Sequence, residues 1–467
     1  MSQNDEKILR ELKALENKLN DSHSRIEKLE SQLSQAVGLL RSSLEVQSKT
    51  GVQIERSMQQ LFHPVHTTLH KIKSVTNIVA RNMSRANKPI IRVVFMVHNV
   101  ETWDALNDIY EIMRGHERFE AIVITTKRDF LNTQKFGEEE INFKGLQQLG
   151  INPIRFNSND PNQELEFLKV INPDIIFRQS PWEISIPPAF HFNEINFART
   201  CYVSYGFGSV HLEAEQTNEF FMRNLWRAYC ETDFQARAWE WVMPKGNVAV
   251  SGSPKLDRII NTSENAGWPM EVLPDTTRII WAPHHSVQSD WLNFSTFMSN
   301  YRHFLQLARE CPNLQIVLKP HPSLFEKVVF FGLITHEDLR AYLEEFLSLP
   351  NTAMVTGGNY IPLFWASDIM ITDGIGFFAE YMVTGKPLIW SENPGHFAMN
   401  KIGQILQEGM YRASDFEAIV QYLEQLCVER NDPLAPKRQE ITRQLLPRPE
   451  GSAQFIVNDI LQALDSE

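Results

Sequence analysis

One stretch in the second half of the chain combines the residue types that could hold an anion. A short apolar run at 369–371 leads to Asp373 and a turn with Gly374 and Gly376, and a helical run containing Glu380 follows. A strand that stops at a glycine-rich turn and opens into a helix places free backbone N–H groups at the helix N-terminus, which favours a diphosphate. Glu380 could accept a hydrogen bond from a ribose hydroxyl. The simpler alternative is a βαβ unit whose glycines only make the turn.

Two basic elements also follow apolar runs and could neutralise such an anion. Lys319 and His321 stand in the sequence Lys-Pro-His-Pro, and the prolines restrict the backbone on both sides of the histidine. The imidazole is then presented rigidly, although a histidine between prolines is more often structural. Ser253 and Lys255 belong to a Ser-Pro-Lys turn, where the lysine can act as a point charge towards phosphate.

His284 and His285 are adjacent and follow another apolar run. Two histidines can ligate a metal, but no HExxH motif, DxD motif or third ligand accompanies them in the sequence. We therefore predict no metal and interpret both as hydrogen-bond donors to phosphate or as acid–base candidates.

Apolar runs alternate with helical stretches in both halves of the chain. They cover 90–97, 121–126, 153–156 and 173–177 in the first half, and 278–281, 315–318 and 369–371 in the second. This alternation predicts an α/β protein with two parallel, doubly wound sheets. The aromatic-rich region 218–241 between them is predicted to be mostly helical. Two Rossmann-like halves facing each other across a cleft form a GT-B type architecture.

Ligands of such sheets bind beyond the C-terminal ends of the strands. In the first half, His98, the pair at 178–179 and the segment 204–208 fall at such ends. They are predicted to face the same cleft as the basic residues of the second half.

Composition excludes several classes of protein. The 467 residues suffice for two domains and an appendage, and the net charge of −12 argues against a nucleic-acid-binding protein. Four cysteines stand far apart without a CxxC pair, which excludes the usual zinc spacings and suggests a reducing compartment. The N-terminus lacks an apolar signal region, and no apolar run approaches 18 residues. We expect a cytosolic protein or one attached to a membrane from the cytosolic side.

The first 62 residues show a heptad pattern. Apolar residues recur by fours and threes, among them Ile8, Leu12, Leu15, Leu19 and Ile26. This spacing predicts the seam of a left-handed coiled coil and therefore a homo-oligomer. A single solvated helix is the alternative, and it would leave the leucine seam unburied.

The next segment is basic and amphipathic. No acidic residue occurs from Arg56 to Val100, while Lys71, Lys73 and Arg81 accompany apolar residues at helical spacing. Such a helix can lie on an anionic membrane surface. The alternative is a connecting helix that packs its apolar stripe on the following domain.

Four motifs in register resemble the CDP-glycerol glycerophosphotransferase family, which comprises bacterial teichoic-acid and capsule polymerases or primases. They are Ser-Asp-x-x-x-Thr-Asp ending at Asp373, Lys-Pro-His-Pro at 319–322, Gly-Ser-Pro-Lys-Leu-Asp at 252–257 and Trp-Ala-Pro at 281–283. The resemblance implies a GT-B fold and a nucleotide-activated donor held by the C-terminal half through His321 and the segment from Asp373 to Glu380. It further implies a lipid-linked polymer acceptor at the membrane and no metal.

The chain departs from that family at three positions. Ile375 and Gly376 stand where the family has hydroxyl residues, so only backbone N–H groups could serve the phosphates there. Tyr205 replaces the histidine of a His-Gly element, and Lys255 replaces an arginine. The candidates for the general base are then Tyr205 itself and four histidines: His98, His211, His284 and His285.

The sequence therefore predicts a transferase that moves glycerol phosphate, a related polyol phosphate or a sugar from a CDP- or CMP-linked donor to a growing cell-surface polymer. It would act on the inner face of the bacterial cell membrane, without a separate cofactor. The alternatives are a GT-B glycosyltransferase using a CMP- or UDP-sugar for capsule or lipopolysaccharide, a nucleotide-sugar epimerase, and a catalytically reduced coiled-coil scaffold. The predicted domains are a coiled coil (1–62), a basic linker helix (63–88), an acceptor domain (89–245) and a donor domain (246–467).

Overall fold

The computed structural model describes residues 89–466 apart from 130–134, 211–218, 245, 263–265, 273, 289–291 and 358, and scattered positions between 28 and 77. Most of the predicted coiled coil and most of the predicted basic helix lie outside the described residues. Asn77 is an exception, because its side-chain amide donates a 2.8 Å hydrogen bond to Asn196. At that point the basic segment contacts the first domain.

Seven parallel strands form the first sheet, in the order β3-β2-β1-β4-β5-β6-β7. The strands are β1 (Ile91–Val97), β2 (Phe119–Thr125), β3 (Ile154–Arg155), β4 (Ile175–Arg178), β5 (Arg199–Val203), β6 (Arg227–Cys230) and β7 (Val248–Val250). Six parallel strands form the second sheet, in the order β10-β9-β8-β11-β12-β13. They are β8 (Thr277–Ala282), β9 (Leu314–Leu318), β10 (Thr352–Met354), β11 (Ile369–Thr372), β12 (Leu388–Ser391) and β13 (Tyr411–Ala413). The predicted α/β class with two parallel sheets is confirmed.

Helices cover both faces of each sheet. Around the first sheet these are α1 (Asn107–Arg114), α2 (Glu139–Gln148), α3 (Pro161–Ile171), α4 (Phe192–Ile195), α5 (Glu219–Asn224) and α6 (Asp233–Glu240). The second half adds α7 (Pro254–Asn261), α8 (Phe297–Glu310), α9 (Leu324–Phe330), α10 (His336–Ser348), α11 (Ile361–Ala366), α12 (Ile375–Met382), α13 (Lys401–Gln407), α14 (Phe416–Leu423), α15 (Ala435–Leu445) and α16 (Ser452–Asp465). Short 3-10 segments include Val100–Ala105 after β1.

Two sequence-based expectations need correction. The region 218–241 is mostly helical, as predicted, but the sequence analysis did not predict β6, which lies between α5 and α6. The boundary predicted at 246 is also too early, since β7 pairs with β6 and completes the first sheet. Both errors have one cause: strands of three or four residues carry too little periodicity to be recognised.

Strand β8 illustrates why the second sheet is buried on both faces. Ile280 and Ala282 enter the core that contains Phe378 of α12, whereas Ile279 and Trp281 pack with the aromatic side chains of α8 on the other face. Successive side chains point to opposite faces, so a strand covered on both sides must be apolar throughout.

The C-terminal helix α16 returns to the first domain. Ile456, Val457 and Ile460 of α16 belong to the same core as the first-sheet strands. Asp459 accepts a 2.7 Å hydrogen bond from the Tyr229 hydroxyl.

Contacts between the domains bring the two sheets' C-terminal edges to one cleft. Arg258 of α7 forms ion pairs with Asp104 and Asp108 of the first domain, at 3.1 and 2.9 Å. Val210 forms an antiparallel bridge with Met399. Within the described part of the chain, none of the helices has the length and apolarity needed to cross a membrane.

Candidate active site

The N-terminus of α12 is open at the edge of the second sheet. Thr372 ends β11, and its hydroxyl donates to the Ala282 carbonyl (2.6 Å) while accepting from the Gly374 N–H (2.8 Å). No side chain caps the helix at Gly374. The backbone N–H groups of Ile375 and Gly376 precede the first intrahelical bond, which Phe377 donates to Gly374 at 2.9 Å. A Cβ placed on Gly376 would meet nothing within 4 Å. The predicted anion-binding turn therefore has space in front of it.

Asp373, predicted to bind the nucleotide, is buried and braces two loops. One carboxylate oxygen accepts from the His284 backbone N–H at 2.5 Å. The other accepts from the backbone N–H and the hydroxyl of Thr296, at 2.5 and 2.7 Å. Burial raises the pKa of Asp373 to about 7, and the three donors oppose this rise. The carboxylate thus fixes the loop that carries His284 against the strand end at 373.

Three histidines predicted separately lie together beside this turn. The His285 ring centroid is 4.3 Å from that of His284 and 3.9 Å from that of His321. One nitrogen from each ring lies within 4.8 Å of the other two. His321 is thus a third imidazole that the sequence did not place beside the pair, and the three could hold a transition-metal ion.

Two of these imidazoles share a hydrogen-bond pattern that selects a tautomer. The N–H of Ser286 points to Nδ1 of His284 at 3.3 Å, and the N–H of Ser323 points to Nδ1 of His321 at 3.2 Å. The Ser286 hydroxyl, which accepts from the Phe294 N–H, also lies 2.7 Å from Nδ1 of His284. An Nδ1 that accepts leaves the proton of a neutral imidazole on Nε2. Both rings are therefore arranged as Nε2–H donors, which suits an anion better than a metal.

Burial keeps these imidazoles neutral. It lowers the pKa of His284 to about 3, with a smaller contribution from the charge of Lys327. Burial and neighbouring imidazoles hold the pKa values of His285 and His321 well below their usual range. The cluster can donate hydrogen bonds near neutral pH without carrying charge.

Lys255 and Glu380 form a buried ion pair rather than standing as separate ligand groups. Lys255 Nζ lies 2.7 Å from one Glu380 oxygen, and the Tyr360 hydroxyl donates to the other at 2.7 Å. Lys255 Nζ is 5.3 Å from the Tyr360 ring centroid, and Lys319 Nζ is 5.5 Å from the same centroid. Both predicted lysines thus converge on one ring.

Lys319 and Ser253 occupy different settings. Burial lowers the pKa of Lys319, while the carboxylate of Glu101 across the cleft opposes this change. Ser253 is buried and caps α7, because its hydroxyl accepts from the Leu256 N–H at 3.4 Å. Ser253 therefore orients the turn that carries Lys255.

At the edge of the first sheet, His98 is buried beneath the surface. Its Nε2 lies 3.3 Å from the Ser180 hydroxyl, and its backbone N–H donates to Gln179 at 2.9 Å. Burial, with the charges of Arg178 and Arg128, lowers the pKa of His98 to about 3. His211, another predicted base, lies outside the described residues.

Tyr205 lines a pocket at this edge, together with Trp182, Tyr202, Ser204 and Trp239 and with Pro181, Gly206, Gly208 and Gln235. The Tyr205 hydroxyl accepts a 3.2 Å hydrogen bond from the Trp182 indole. Burial raises the pKa of Tyr205, while the charge of Lys255 opposes the rise. The pocket therefore adjoins the second-domain site.

Sequence reasoning missed several of these residues. Tyr360 is a single aromatic residue after a three-residue strand, and Thr296 precedes a helix; neither has a distinctive local pattern. Glu231 follows β6, the strand that the sequence analysis did not recognise. Recognising a strand at 227–230 would have placed Glu231 at a C-terminal strand end.

Solved structures share this architecture. S. aureus MnaA in complex with UDP has a TM-score of 0.54 and 13% identity, over 81% of this chain and 97% of that chain. The UDP-GlcNAc 2-epimerase of Neisseria meningitidis bound to UDP-GlcNAc has a TM-score of 0.54 and 14% identity, over 80% and 99%. A variant of the wall teichoic acid polymerase TagF has a TM-score of 0.51 and 13% identity, over 88% and 98%.

No protein-family model and no curated protein matches the sequence. The structural similarities show that the chain has the predicted GT-B fold. The polymerase among them agrees with the family that the sequence motifs resemble.

Proposed function

We propose that the chain is a GT-B transferase that binds a nucleotide-activated donor at the C-terminal edge of the second sheet. The preferred donor is a cytidine diphosphate ester of glycerol or a related polyol. The observation that carries the proposal is the uncapped N-terminus of α12 beside two imidazoles that share the Nε2–H tautomer. Oriented neutral donors at a helix N-terminus favour a diphosphate and stabilise the charge on a departing nucleotide.

Most of the site residues predicted in the second half of the chain have a role in this proposal. His284, His285 and His321 would donate to the donor phosphates, with the backbone N–H group of Gly376, whereas the Gly374 N–H already donates to Thr372 and shapes the turn. Lys319 would add positive charge, because Glu101 and Glu380 favour its charged form against the effect of burial on its pKa.

Lys255, Glu380 and Asp373 already have partners, so in this proposal they position other side chains and do not bind the donor themselves. Lys255 and Glu380 neutralise each other at 2.7 Å, and Asp373 has three donors of its own. In this proposal Asp373 positions the His284 loop, and the Lys255–Glu380 pair positions Tyr360.

The donor class rests on the motif resemblance and on the structural neighbours. TagF is named as a wall teichoic acid polymerase, which supports a polyol-phosphate donor and a cell-surface polymer as acceptor. MnaA and the Neisseria epimerase are recorded with UDP and UDP-GlcNAc. A UDP-sugar transferase or an epimerase is therefore the second candidate function.

A donor panel separates these functions. The purified full-length chain is incubated with CDP-glycerol, CDP-ribitol, a CMP-sugar and UDP-GlcNAc, and nucleotide release, transfer to a membrane-extracted acceptor and conversion of the sugar are measured. We expect release of CMP from a CDP-polyol in the presence of acceptor. Conversion of UDP-GlcNAc without an acceptor would instead favour the epimerase.

Matched histidine variants link the activity to the proposed site. His321→Ala should lower turnover and weaken nucleotide binding, whereas His303→Ala, on the exposed side of α8, should change neither. A chain that binds nucleotide but turns over none of the donors would contradict transfer and favour a catalytically reduced scaffold.

We also propose that residues 1–62 form a coiled coil that assembles the chain, and that residues 63–88 attach it to the inner face of a bacterial membrane. The heptad seam and the absence of acidic residues support these two proposals. Removal of residues 1–62 should reduce the mass measured by light scattering. Neutralising Lys71, Lys73, Arg81 and Arg85 should abolish flotation with anionic liposomes. An unchanged mass or unchanged flotation would refute the corresponding proposal.

A further inference from the structure

The pocket at the edge of the first sheet has the features of a sugar-binding site. Partly exposed Trp182 and Tyr205 and the buried Trp239 supply aromatic surface, and Ser204 and Gln235 add polar groups. Aromatic rings contact the C–H faces of a pyranose, while polar groups at the rim bind its hydroxyls. Tyr205 also responds to the charge of Lys255 in the second domain, so a ligand held here would face the donor site.

A buried carboxyl group lies directly behind this pocket. Glu231 directly follows β6, Ser204 directly follows the neighbouring strand β5, and Glu231 is only 3% exposed. Its Oε1 has no hydrogen-bond partner among the described residues. The Ser204 hydroxyl interacts with the Glu231 carboxyl and also donates to the Gly206 carbonyl at 2.9 Å. Because a hydroxyl has one hydrogen, Ser204 donates either to the Gly206 carbonyl or to the ionised Glu231 carboxylate.

We infer that this pocket binds a pyranose ring of the acceptor, and that Glu231 accepts the proton of the attacking hydroxyl through Ser204. The inference rests on the proposed transferase function. It assigns a general base at the edge where the family resemblance leaves Tyr205 in place of a histidine.

The acceptor hydroxyl passes its proton to Ser204 Oγ as the Ser204 proton moves to the ionised Glu231. The acceptor oxygen uses the freed electron pair to bond to the donor phosphorus or anomeric carbon. The bond from that centre to the nucleotide oxygen breaks, and the nucleotide leaves with the pair. Glu231 later returns its proton to solvent.

Groups around Glu231 leave it as the titrating member of the cluster. Burial raises its pKa to about 7, while Ser204 opposes the rise. Tyr202 on β5 and Cys230 on β6 interact with it, and burial raises the pKa values of both, so both are neutral near pH 7. The acidic residues of α6, Asp233 and Glu240, act on Cys230.

The test compares Glu231→Gln with Glu240→Gln, an exposed acid at the end of α6, in the full-length chain. With the donor that the wild type transfers, we expect Glu231→Gln to lower kcat about 100-fold or more, the range of general-base catalysis. The wild-type rise of kcat with pH through about 7 should disappear, while nucleotide affinity stays within twofold. Glu240→Gln should keep the wild-type profile.

A second measurement tests whether the pocket binds a pyranose ring. Saturation-transfer NMR with methyl N-acetylglucosaminide should show magnetisation transfer from the wild type and much less from Trp182→Ala at equal folded content. Absence of the transfer in the wild type overturns the sugar pocket. Transfer activity with an unchanged pH profile in Glu231→Gln overturns the base and leaves the proposed function intact. A wild type without any transfer overturns the proposed function and with it the role of Glu231.

Discussion

Two buried carboxyl groups stand at the ends of strands on opposite sides of the cleft, Glu231 on the first sheet and Asp373 on the second. Burial raises the pKa of each to about 7. Their hydrogen bonding is different, because Asp373 accepts from three donors through both oxygens, whereas Oε1 of Glu231 has no partner within the described residues. The two carboxyl groups are therefore similarly buried but differ in how fully their oxygens are hydrogen-bonded.

The comparison extends to the residues around each carboxyl. The second edge consists of groups that satisfy one another: Lys255 with Glu380, Tyr360 with Glu380, and Asp373 with two loops. Such a framework holds neutral imidazoles and backbone N–H groups in place for a charged ligand. The first edge has an aromatic pocket and a carboxyl that can change its protonation state. We interpret the second edge as a preorganised binding site and the first as the place where a proton moves.

The largest effect should come from breaking the ion pair of the second edge. Lys255→Met leaves the Glu380 carboxylate buried without its cation, and removing one partner of a buried pair costs about 3–5 kcal/mol. Urea denaturation at pH 7.5 measures the loss in the free energy of unfolding.

The double variant Lys255→Met/Glu380→Gln serves as the matched control. It removes both charges and should recover most of the lost stability, because no uncompensated charge remains. A single variant as stable as the wild type would show that the second edge does not depend on this pair.

The bracing role of Asp373 predicts the next largest effect. Asp373→Ala leaves two buried N–H groups without their acceptor, and each such group costs about 1–3 kcal/mol. The Thr296 hydroxyl keeps a partner, because it also lies 2.8 Å from the Ser391 hydroxyl. Asp415→Ala is the matched control, because the Asp415 carboxylate caps α14 through a single exposed bond and an exposed cap contributes about 1 kcal/mol. Equal losses in thermal or urea unfolding would contradict the bracing role.

For Glu231 we expect a substitution that stabilises the folded chain, unlike those at Lys255 and Asp373. Its pKa is about 7 in the folded chain and ordinarily 4.5, so between these values the folded state keeps a proton that the unfolded state has released. Wild-type stability should therefore fall as pH rises from about 4.5 to 7, and Glu231→Gln should escape that fall. The variant should be more stable above pH 7 by up to about 3 kcal/mol, at 1.36 kcal/mol per pKa unit. Urea denaturation at pH 5 and pH 8 tests this, and a variant less stable than the wild type at pH 8 would contradict it.

The same two edges show what the sequence could and could not predict. Long apolar runs identified the main strands, and the residues at their ends, His284, His321 and Asp373, are indeed neighbours in space. Their common location follows from parallel topology alone, since C-terminal strand ends meet at one edge. Pairings such as Lys255 with Glu380, 125 positions apart, depend on packing between helices that no local pattern specifies.

Glu231 was beyond sequence reasoning for a more specific reason. Strand β6 has four residues and begins with Arg227, so it lacks the apolar period that marked the other strands. Without that strand, an acidic residue before a helix resembles an ordinary solvent-exposed position. Tertiary pairing with β5 and β7 is what buries it.

The last prediction is that two histidines of the second edge do not titrate near neutral pH. If the second edge binds through neutral donors, His284 and His321 should not titrate between pH 5 and 8, because burial lowers the pKa of His284 to about 3 and holds that of His321 well below its usual range. NMR spectra of chain labelled with ¹³C at the histidine Cε1 positions, assigned with His284→Gln and His321→Gln, would follow both rings, with free histidine in the same buffer as the reference. Cε1 shifts that move with a midpoint near 6.5, the ordinary value for histidine, would mean that the second edge also changes charge near neutral pH. The distinction between a fixed binding edge and a titrating edge would then fail, because proton uptake would occur on both sides of the cleft.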